Sequence, residues 1–573
     1  MRLVTALARA FVARWSLLTA VSRVTLLSPL LASCGPTAPA PHEEREESEV
    51  VADPSIGPDG LASVDVELTR KASVESGAFG MHASVYDNAL HDAQLPALIA
   101  EAGITLLRWP GGGYSDNYHW STHSMTPWSN GSAGYLAEGS DFGSFAGVLE
   151  ATGTRAMITV NYGSNLGGTG PGEPKEAAAW VAYANGHPDD TTRIGVDAAG
   201  NDWHTVGYWA SLRAAEPLAV DDGQNFLRIA RSESLAIEYW EIGNEVFGNG
   251  YYASGGDQGF ELDLHSPYDG QSRGGRPELS GSTYGRGVRE YVREMKAVDP
   301  SIRVGAVLNT PPADYRWGPD WNDAVLAECA RDIDFGIVHW YMAGSTSAVV
   351  RAPRKVVPVM VEELRDTLAE HAGERAAQIG LAMTELGPNF SGAANNAIAG
   401  YGSFDATQQQ VAGMFAADSY LSLISAGFFN VDWLELHNSS FLSERTQRKG
   451  AAYHGIRLAH LLAGVGDTLI TTRSSHAASI HAHASARADG GLGVLLFNTE
   501  PAQPARVTVR VAVSSLSATA TRYDYAPVRD ADGALTAAGS VSEPLPLSGL
   551  GSEFEVELGA YSATAIVFDS YEP

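Results

Sequence analysis

Cysteine is almost missing from this chain: two among 573 residues. Two thiols cannot build a disulfide-held scaffold or a cysteine-based zinc site. Basic residues are also scarce, 38 against 67 acids, for a formal charge of −29. Such a surface repels phosphate backbones, so nucleic acid is not an expected partner. Charged residues make up only 18% and hydrophobic residues 44%. That balance excludes a wholly disordered chain and supplies a sizeable core. The histidines are scattered without a dense His/Asp cluster, so neither a metal nor another cofactor is expected. Glycine (61) and tryptophan (12) are plentiful, which implies many tight turns and an aromatic-lined surface.

The segment 1–34 holds four arginines (Arg2, Arg9, Arg14, Arg23) and no acid. An apolar run, 24–31, leads into Leu31-Ala32-Ser33-Cys34-Gly35. A basic start, an apolar run and small residues before a cleavage point describe a secretory signal. The run is too short to span a bilayer. Leu-Ala-Ser-Cys resembles the bacterial lipobox, which implies lipidation at Cys34 and membrane contact only through that anchor. Export is therefore expected, to the cell surface or outer membrane, with plain secretion as the alternative. Cleavage would take four arginines and no acid from −29, leaving −33. Residues 35–60 are rich in Pro, Glu and Ser and read as a disordered acidic tether. Cys329 lies in a helical pattern and is expected as a buried, inert thiol.

From 75 to 463, strand-like apolar runs alternate with amphipathic helical patterns. Strands are expected at 77–83, 105–108, 156–161, 237–242, 302–307, 335–341, 379–384 and 430–436. Eight such units predict an α/β fold, a (β/α)8 TIM barrel. A doubly wound sheet ranks second, because no Gly-x-Gly-x-x-Gly follows the first strand. Over 464–573 the pattern turns to period-two alternation (Val507, Val509, Val511, Val513), which predicts a C-terminal antiparallel β-sandwich. The segment 61–74 alternates similarly and reads as a further strand of that sandwich. Apart from Trp15, all tryptophans fall between Trp109 and Trp433. The sandwich has none, which argues against a sugar-stacking surface there.

Functional residues of such barrels sit at the C-terminal ends of strands. Two acids stand there: Glu245, closing Trp240-Glu241-Ile242-Gly243-Asn244-Glu245, and Glu385, in Met383-Thr384-Glu385-Leu386-Gly387. They belong to the fourth and seventh expected strands, on opposite sides of the barrel mouth. Two carboxylates so placed can flank a glycosidic bond, one protonating the leaving oxygen and the other attacking the anomeric carbon.

The Trp-Glu-Ile-Gly-Asn-Glu run resembles the acid/base strand of the large clan of retaining (β/α)8 glycoside hydrolases (clan A). Leu107-Arg108-Trp109-Pro110-Gly111-Gly112, Tyr118-His119-Trp120 and His339-Trp340-Tyr341 resemble the family 51 α-L-arabinofuranosidases and their relatives. The resemblance implies Glu245 as acid/base and Glu385 as nucleophile, with a glycosyl-enzyme intermediate on a carbohydrate substrate. Glu245 is then expected protonated and Glu385 ionised, the latter held by Tyr341 and Arg108. Asn244 would bond the sugar 2-hydroxyl, and His339 the acid/base or a sugar hydroxyl. Trp109 and Trp433 are expected to stack on the substrate, with Tyr114, Trp120 and Trp340 as further rings near strand ends.

Two family features are missing. Gly113 stands where the family has a sugar-binding asparagine, and Met81-His82-Ala83-Ser84 lacks the acid expected after the first strand. His82, Ser84, Asp87, Ser115 and Asp116 are the nearby groups able to replace those contacts. The reaction class is thus better supported than the sugar. An α-L-arabinofuranosidase-like enzyme is favoured. An endo-acting β-glycanase on glucan or xylan is the alternative, and a non-catalytic glycan-binding surface lipoprotein ranks last.

Overall fold

The computed structural model describes residues 55–127, 133–248, 262–266, 277–311, 320–391 and 404–573. Cys34, the segment 1–34 and the tether up to residue 54 lie outside the described residues, as does much of the stretch 249–276.

The chain enters on a long strand, β1 (Leu61–Ser73). Eight strands then follow: β2 (Phe79–His82), β3 (Leu106–Trp109), β4 (Arg155–Val160), β5 (Tyr239–Ile242), β6 (Arg303–Val307), β7 (Phe335–Gly344), β8 (Gly380–Phe390) and β9 (Phe428–Trp433). They close into a parallel barrel in the order β8-β9-β2-β3-β4-β5-β6-β7. The expected TIM barrel is therefore the fold. The helices around it are α1 (Leu95–Ala102), α2 (Phe142–Thr152), α3 (Pro174–Asn185), α4 (Val206–Ala214), α5 (Gly281–Val298), α6 (Trp321–Cys329), α7 (Thr346–Ala372), α8 (Ala406–Ser425) and α9 (Ala451–Leu462). Their starts follow local chemistry. Asp141 accepts from Ser144 N at 2.9 Å ahead of α2. Asp405 and Gln408 form a reciprocal capping box at α8. Cys329 is buried at the end of α6, where burial pushes its thiol up to about 12. That is the inert thiol the sequence suggests.

The barrel lumen is divided by polarity. Its floor is aromatic: Tyr239 and Phe335 lie 5.1 and 5.3 Å from Phe429, ring centre to ring centre. Above that floor the inward positions turn polar, with Arg108, Glu241, Asn430 and Asp432 all buried. The polar half is the end at which the strands finish, which prepares the barrel mouth for chemistry.

Residues 464–573 contribute β10 (Thr468–Ser474), β11 (Ile480–Ala486), β12 (Leu492–Asn498), β13 (Ala505–Val511), β14 (Thr519–Tyr525), β15 (Leu545–Ser548), β16 (Glu553–Leu558) and β17 (Ser562–Phe568). Within 464–573 these strands pair antiparallel, as expected, and β1 joins them from the N-terminal side. One nine-stranded sheet runs β15-β14-β17-β12-β11-β10-β1-β13-β16, and β1 pairs parallel with β13, Leu61 beside Arg506. No hairpin joins those two strands, so nothing forces them antiparallel. The sheet curls until its halves face each other across Val64, Val66, Val494, Val507 and Val509. Phe554 of β16 meets Phe568 of β17 at 5.3 Å. Against the barrel, Asp418 of α8 accepts from His481 Nδ1 at 2.6 Å and His483 Nε2 at 2.7 Å.

Helices α8 and α9 approach closely because glycines face each other. A Cβ on Gly455 would stand 2.0 Å from the Gly413 carbonyl oxygen. Backbone cannot yield there, so Gly455→Ala should cost about 1–3 kcal/mol, read as a lower urea midpoint at unchanged slope.

Candidate active site

Strand β3 delivers Arg108 into the lumen, where it is fully buried. Its Nε donates to Glu241 Oε2 at 2.6 Å, Nη1 to Glu385 Oε1 at 2.9 Å, and Nη2 to Asn244 Oδ1 at 2.9 Å. Nη1 also meets His82 Nδ1 at 3.1 Å. Burial drives the His82 pKa down to about 3, with the Arg108 charge acting the same way. His82 is therefore neutral at ordinary pH and accepts from the guanidinium. Burial alone would release the Arg108 proton, but Glu241 and Glu385 outweigh it and fix the positive charge.

Glu385 is placed by an irregularity. Pairing between β8 and β7 shifts register between Met383 and Glu385, so two adjacent residues, Thr384 and Glu385, both reach His339. Strict alternation would send one of them outward. Tyr341 donates its hydroxyl to Glu385 Oε2, while Arg108 holds Oε1. Burial would raise the Glu385 pKa, but the facing His339, Arg108 and His82 and the Tyr341 bond outweigh it and hold it at about 2. Glu385 is an ionised, aimed carboxylate.

Glu245 stands just past β5, in a left-handed backbone conformation (φ 35°) that non-glycine residues seldom adopt. The preceding turn is braced from below. Buried Asp116 accepts from Asn244 N and Tyr162 N, each at 3.2 Å. Burial raises Asp116 to about 8 against those backbone bonds. Glu245 Oε1 lies 2.8 Å from His339 Nδ1, and His339 Nε2 lies 3.0 Å from the Thr384 hydroxyl. Either partner of the Glu245–His339 bond can carry the proton, because Thr384 can donate or accept on the far side. One oxygen each of Glu245 and Glu385 and one nitrogen of His339 lie within 4.8 Å of one another. Such closeness is of the kind a retaining pair requires, with its carboxyl groups about 5–5.5 Å apart. The same three groups are of a type that binds divalent cations. Here their atoms are committed, Glu385 to Arg108 and Tyr341 and His339 to Glu245 and Thr384.

The structure thus brings together Arg108, Asn244, Glu245, His339, Tyr341 and Glu385. It does not bring the two tryptophans. Trp109 is buried and points away from the lumen, stacked on Phe145 of α2 at 4.9 Å and edge-on to Trp180 of α3 at 5.9 Å. Trp433 is equally buried, packing toward Phe415 of α8 at 6.4 Å. The reason is alternation: Arg108 and Asp432, their neighbours, take the inward positions, so the tryptophans face the helices. Trp120 and Trp340 are core as well. His119 and His123, four residues apart in sequence, have different partners. His119 meets Glu176 at 3.0 Å and His123 the Tyr118 hydroxyl at 3.0 Å.

Several site residues have no counterpart in the sequence reading: Glu241, Thr384, Asp432 and Glu435. Acids inside apolar strands (Trp-Glu-Ile, Val-Asp-Trp) were the available signal, since a lumenal acid demands a cation. Asp432 is forced well above the usual carboxylate range by burial, so it is neutral and adds no charge. Of the proposed replacement contacts, Ser84 donates to Glu435 Oε2 at 3.2 Å and Asp87 Oδ2 meets His437 Nδ1 at 2.6 Å. Ser115 is spent on the Gly112 carbonyl.

The fold and these convergent carboxylates define the class, a (β/α)8 barrel with an appended β-sheet and an acid pair at its mouth. The barrel with its appended sheet recurs in the α-L-arabinofuranosidase of Thermotoga maritima in its arabinose complex, with TM-score 0.63, 18% identity, and coverage of 88% of this chain and 99% of that one. It also recurs in a family 44 xyloglucanase of Paenibacillus polymyxa, with TM-score 0.54, 13% identity and coverage of 89% and 99%. No protein-family model matches the chain. In sequence it is similar to a probable α-L-arabinofuranosidase C of Aspergillus fumigatus, 23% identical over 294 residues, 48% of this chain and 44% of that protein. α-L-Arabinofuranosidase C of Emericella nidulans is 27% identical over 168 residues, 28% and 26% of the two chains. The chain therefore matches less than half the length of these relatives.

The depressed Glu385 pKa carries a stability signature. Its folded value lies below the ordinary 4.5, so its contribution is complete above about 4.5 and is lost as pH falls toward 2. The stability difference between wild type and Glu385→Gln should be flat above pH 5 and shrink below it, measured by urea unfolding across pH.

Proposed function

We propose that the protein is a retaining glycoside hydrolase of α-L-arabinofuranosidase type. The observation that carries this reading is the pair itself: Glu385 held ionised by Arg108 and Tyr341, with Glu245 facing it across His339. Glu385 attacks the anomeric carbon while Glu245 gives its proton to the glycosidic oxygen. The C–O bond breaks and a glycosyl-enzyme ester forms. Glu245, now a carboxylate, takes a proton from water, which attacks the same carbon and releases Glu385. His339 holds Glu245 in both protonation states. Asn244, held through its amide oxygen by Arg108, stands next to Glu245 where it can meet the sugar 2-hydroxyl, a contact that strengthens as positive charge develops on the ring. The similarity to arabinofuranosidases in both sequence and fold supports the sugar. The family 44 fold likeness supports a second reading, an endo-acting β-glycanase.

A panel of aryl glycosides and polysaccharides with product analysis separates the two. Release of arabinose from an aryl α-L-arabinofuranoside supports the first, and internal cleavage of glucan or xylan the second. Binding without cleavage of any substrate returns the protein to the binding-lipoprotein reading. Glu385→Ala should abolish turnover. Glu245→Ala should lose on the order of 10²–10⁴ in kcat on poor leaving groups and far less on nitrophenolate, which needs no proton. Full activity in either variant contradicts the assignment.

We also propose export and anchoring through Cys34, supported by the basic, apolar and Leu-Ala-Ser-Cys order of 1–34. Labelled palmitate should enter the wild type in a bacterial host, and Cys34→Ala should remain unlabelled. Equal labelling of both refutes it.

A further inference from the structure

We propose that Glu435 binds a hydroxyl of the substrate sugar beside the nucleophile and so selects which sugar the site accepts. This rests on the glycosidase reading above. The main chain on either side of Glu435 is tied to the two neighbouring strands: Leu434 N donates to Leu386 O of β8 at 3.1 Å, and Leu436 N to His82 O of β2 at 2.9 Å. Glu435 is thereby fixed at the barrel mouth, between the strand that carries the nucleophile and the one that carries His82. Glu385 and Glu435 lie within electrostatic reach of each other.

The carboxylate is built to stay in place and yet is not consumed. The Tyr86 hydroxyl donates to Oε2 at 2.8 Å and the Ser84 hydroxyl to the same oxygen at 3.2 Å. Among the described residues no cation pairs with it, and the residue is only half-buried. The other lumenal acids differ. Glu241 is bonded to Arg108 and to the Thr159 hydroxyl at 2.6 Å each, and Asp432 is sealed in. A rim carboxylate with one oxygen held by two donors presents the other as an acceptor, and sugar hydroxyls are donors of matching strength.

The groups facing Glu435 are Ser84, Tyr86 and Asp87 after β2, Glu385 from β8 and His437 on its own segment. His437 places Nδ1 on Asp87 and Nε2 on Gln447 Oε1 at 2.9 Å. Burial would lower its pKa, but the Asp87 and Gln447 bonds raise it, so its charge is spent on Asp87. Burial, with Asp87 and Glu385 adding to it against the Tyr86 and Ser84 bonds, raises Glu435 to about 7. The ionised form is the better acceptor, so substrate binding should tighten as pH rises through about 7.

The test uses the aryl glycoside that the wild type hydrolyses fastest, together with its monodeoxy analogues. kcat and KM are measured for wild type, Glu435→Ala and Glu435→Gln. Removing a charged hydrogen bond should raise KM roughly 10- to 100-fold. One monodeoxy analogue, poor for the wild type, should be no worse than the parent sugar for Glu435→Ala. Glu435→Gln, which keeps the shape and the two donors, should lose the pH dependence of KM near 7, and it decides the matter if the alanine variant does not fold. Unchanged KM and unchanged discrimination in an active enzyme overturn the role of Glu435 alone. A wild type that cleaves no glycoside overturns the glycosidase reading and this inference with it.

Discussion

One guanidinium organises this protein. Arg108 is buried, and a buried cation persists only where partners satisfy it. Its donors reach Glu241 and Asn244 from β5 and its end, Glu385 from β8 and His82 from β2. A lysine could supply the charge but not the fork, since an ammonium has no planar array of five donors. Closing the barrel and placing the acid pair are therefore parts of one requirement.

The same charge separates the roles of the two glutamates. Arg108 and Tyr341 hold both oxygens of Glu385 and keep it ionised. Glu245 has a different partner, His339, whose second nitrogen rests on a hydroxyl that can reverse its bond. One oxygen of each lies within 4.8 Å of the other, yet their surroundings differ: a guanidinium and a phenol hold one, an imidazole the other. Neighbouring acids are kept from confusing the field: Asp432 is neutralised by burial and Glu241 is paired with the arginine.

Much of this was legible in the sequence. Eight apolar runs separated by helical patterns carried the barrel, and all eight strands overlap the expected positions. Glu245 and Glu385 stood out as a pair because both sit at strand ends, on the fourth and seventh expected strands, where a single acid alone would read as a solvated or ion-paired group. The tryptophans misled because ring chemistry was weighed without strand parity. Once Arg108 faces in, Trp109 must face out. Glu435 was invisible for a different reason. It lies two residues beyond the last strand, and only the fold brings Ser84 and Tyr86, some 350 residues away, onto its carboxylate. The run Met81–Ser84 carries no acid, and sequence cannot say that the segment after the neighbouring strand brings Glu435 beside it. That 61–74 belongs with the C-terminal strands was legible from its alternation, but the parallel sense of its pairing was not, since a partner from the far N-terminal side leaves no local turn signal.

The central claim is a covalent sugar ester on Glu385. Reaction with an aryl 2-deoxy-2-fluoro-α-L-arabinofuranoside, followed by peptide mass spectrometry, tests it most directly. The account predicts one added fluoro-sugar per chain, on the peptide carrying Glu385, with release on addition of an acceptor. A label on any other residue, or turnover of the unfluorinated sugar with inverted anomeric product and no trapped ester, would contradict it.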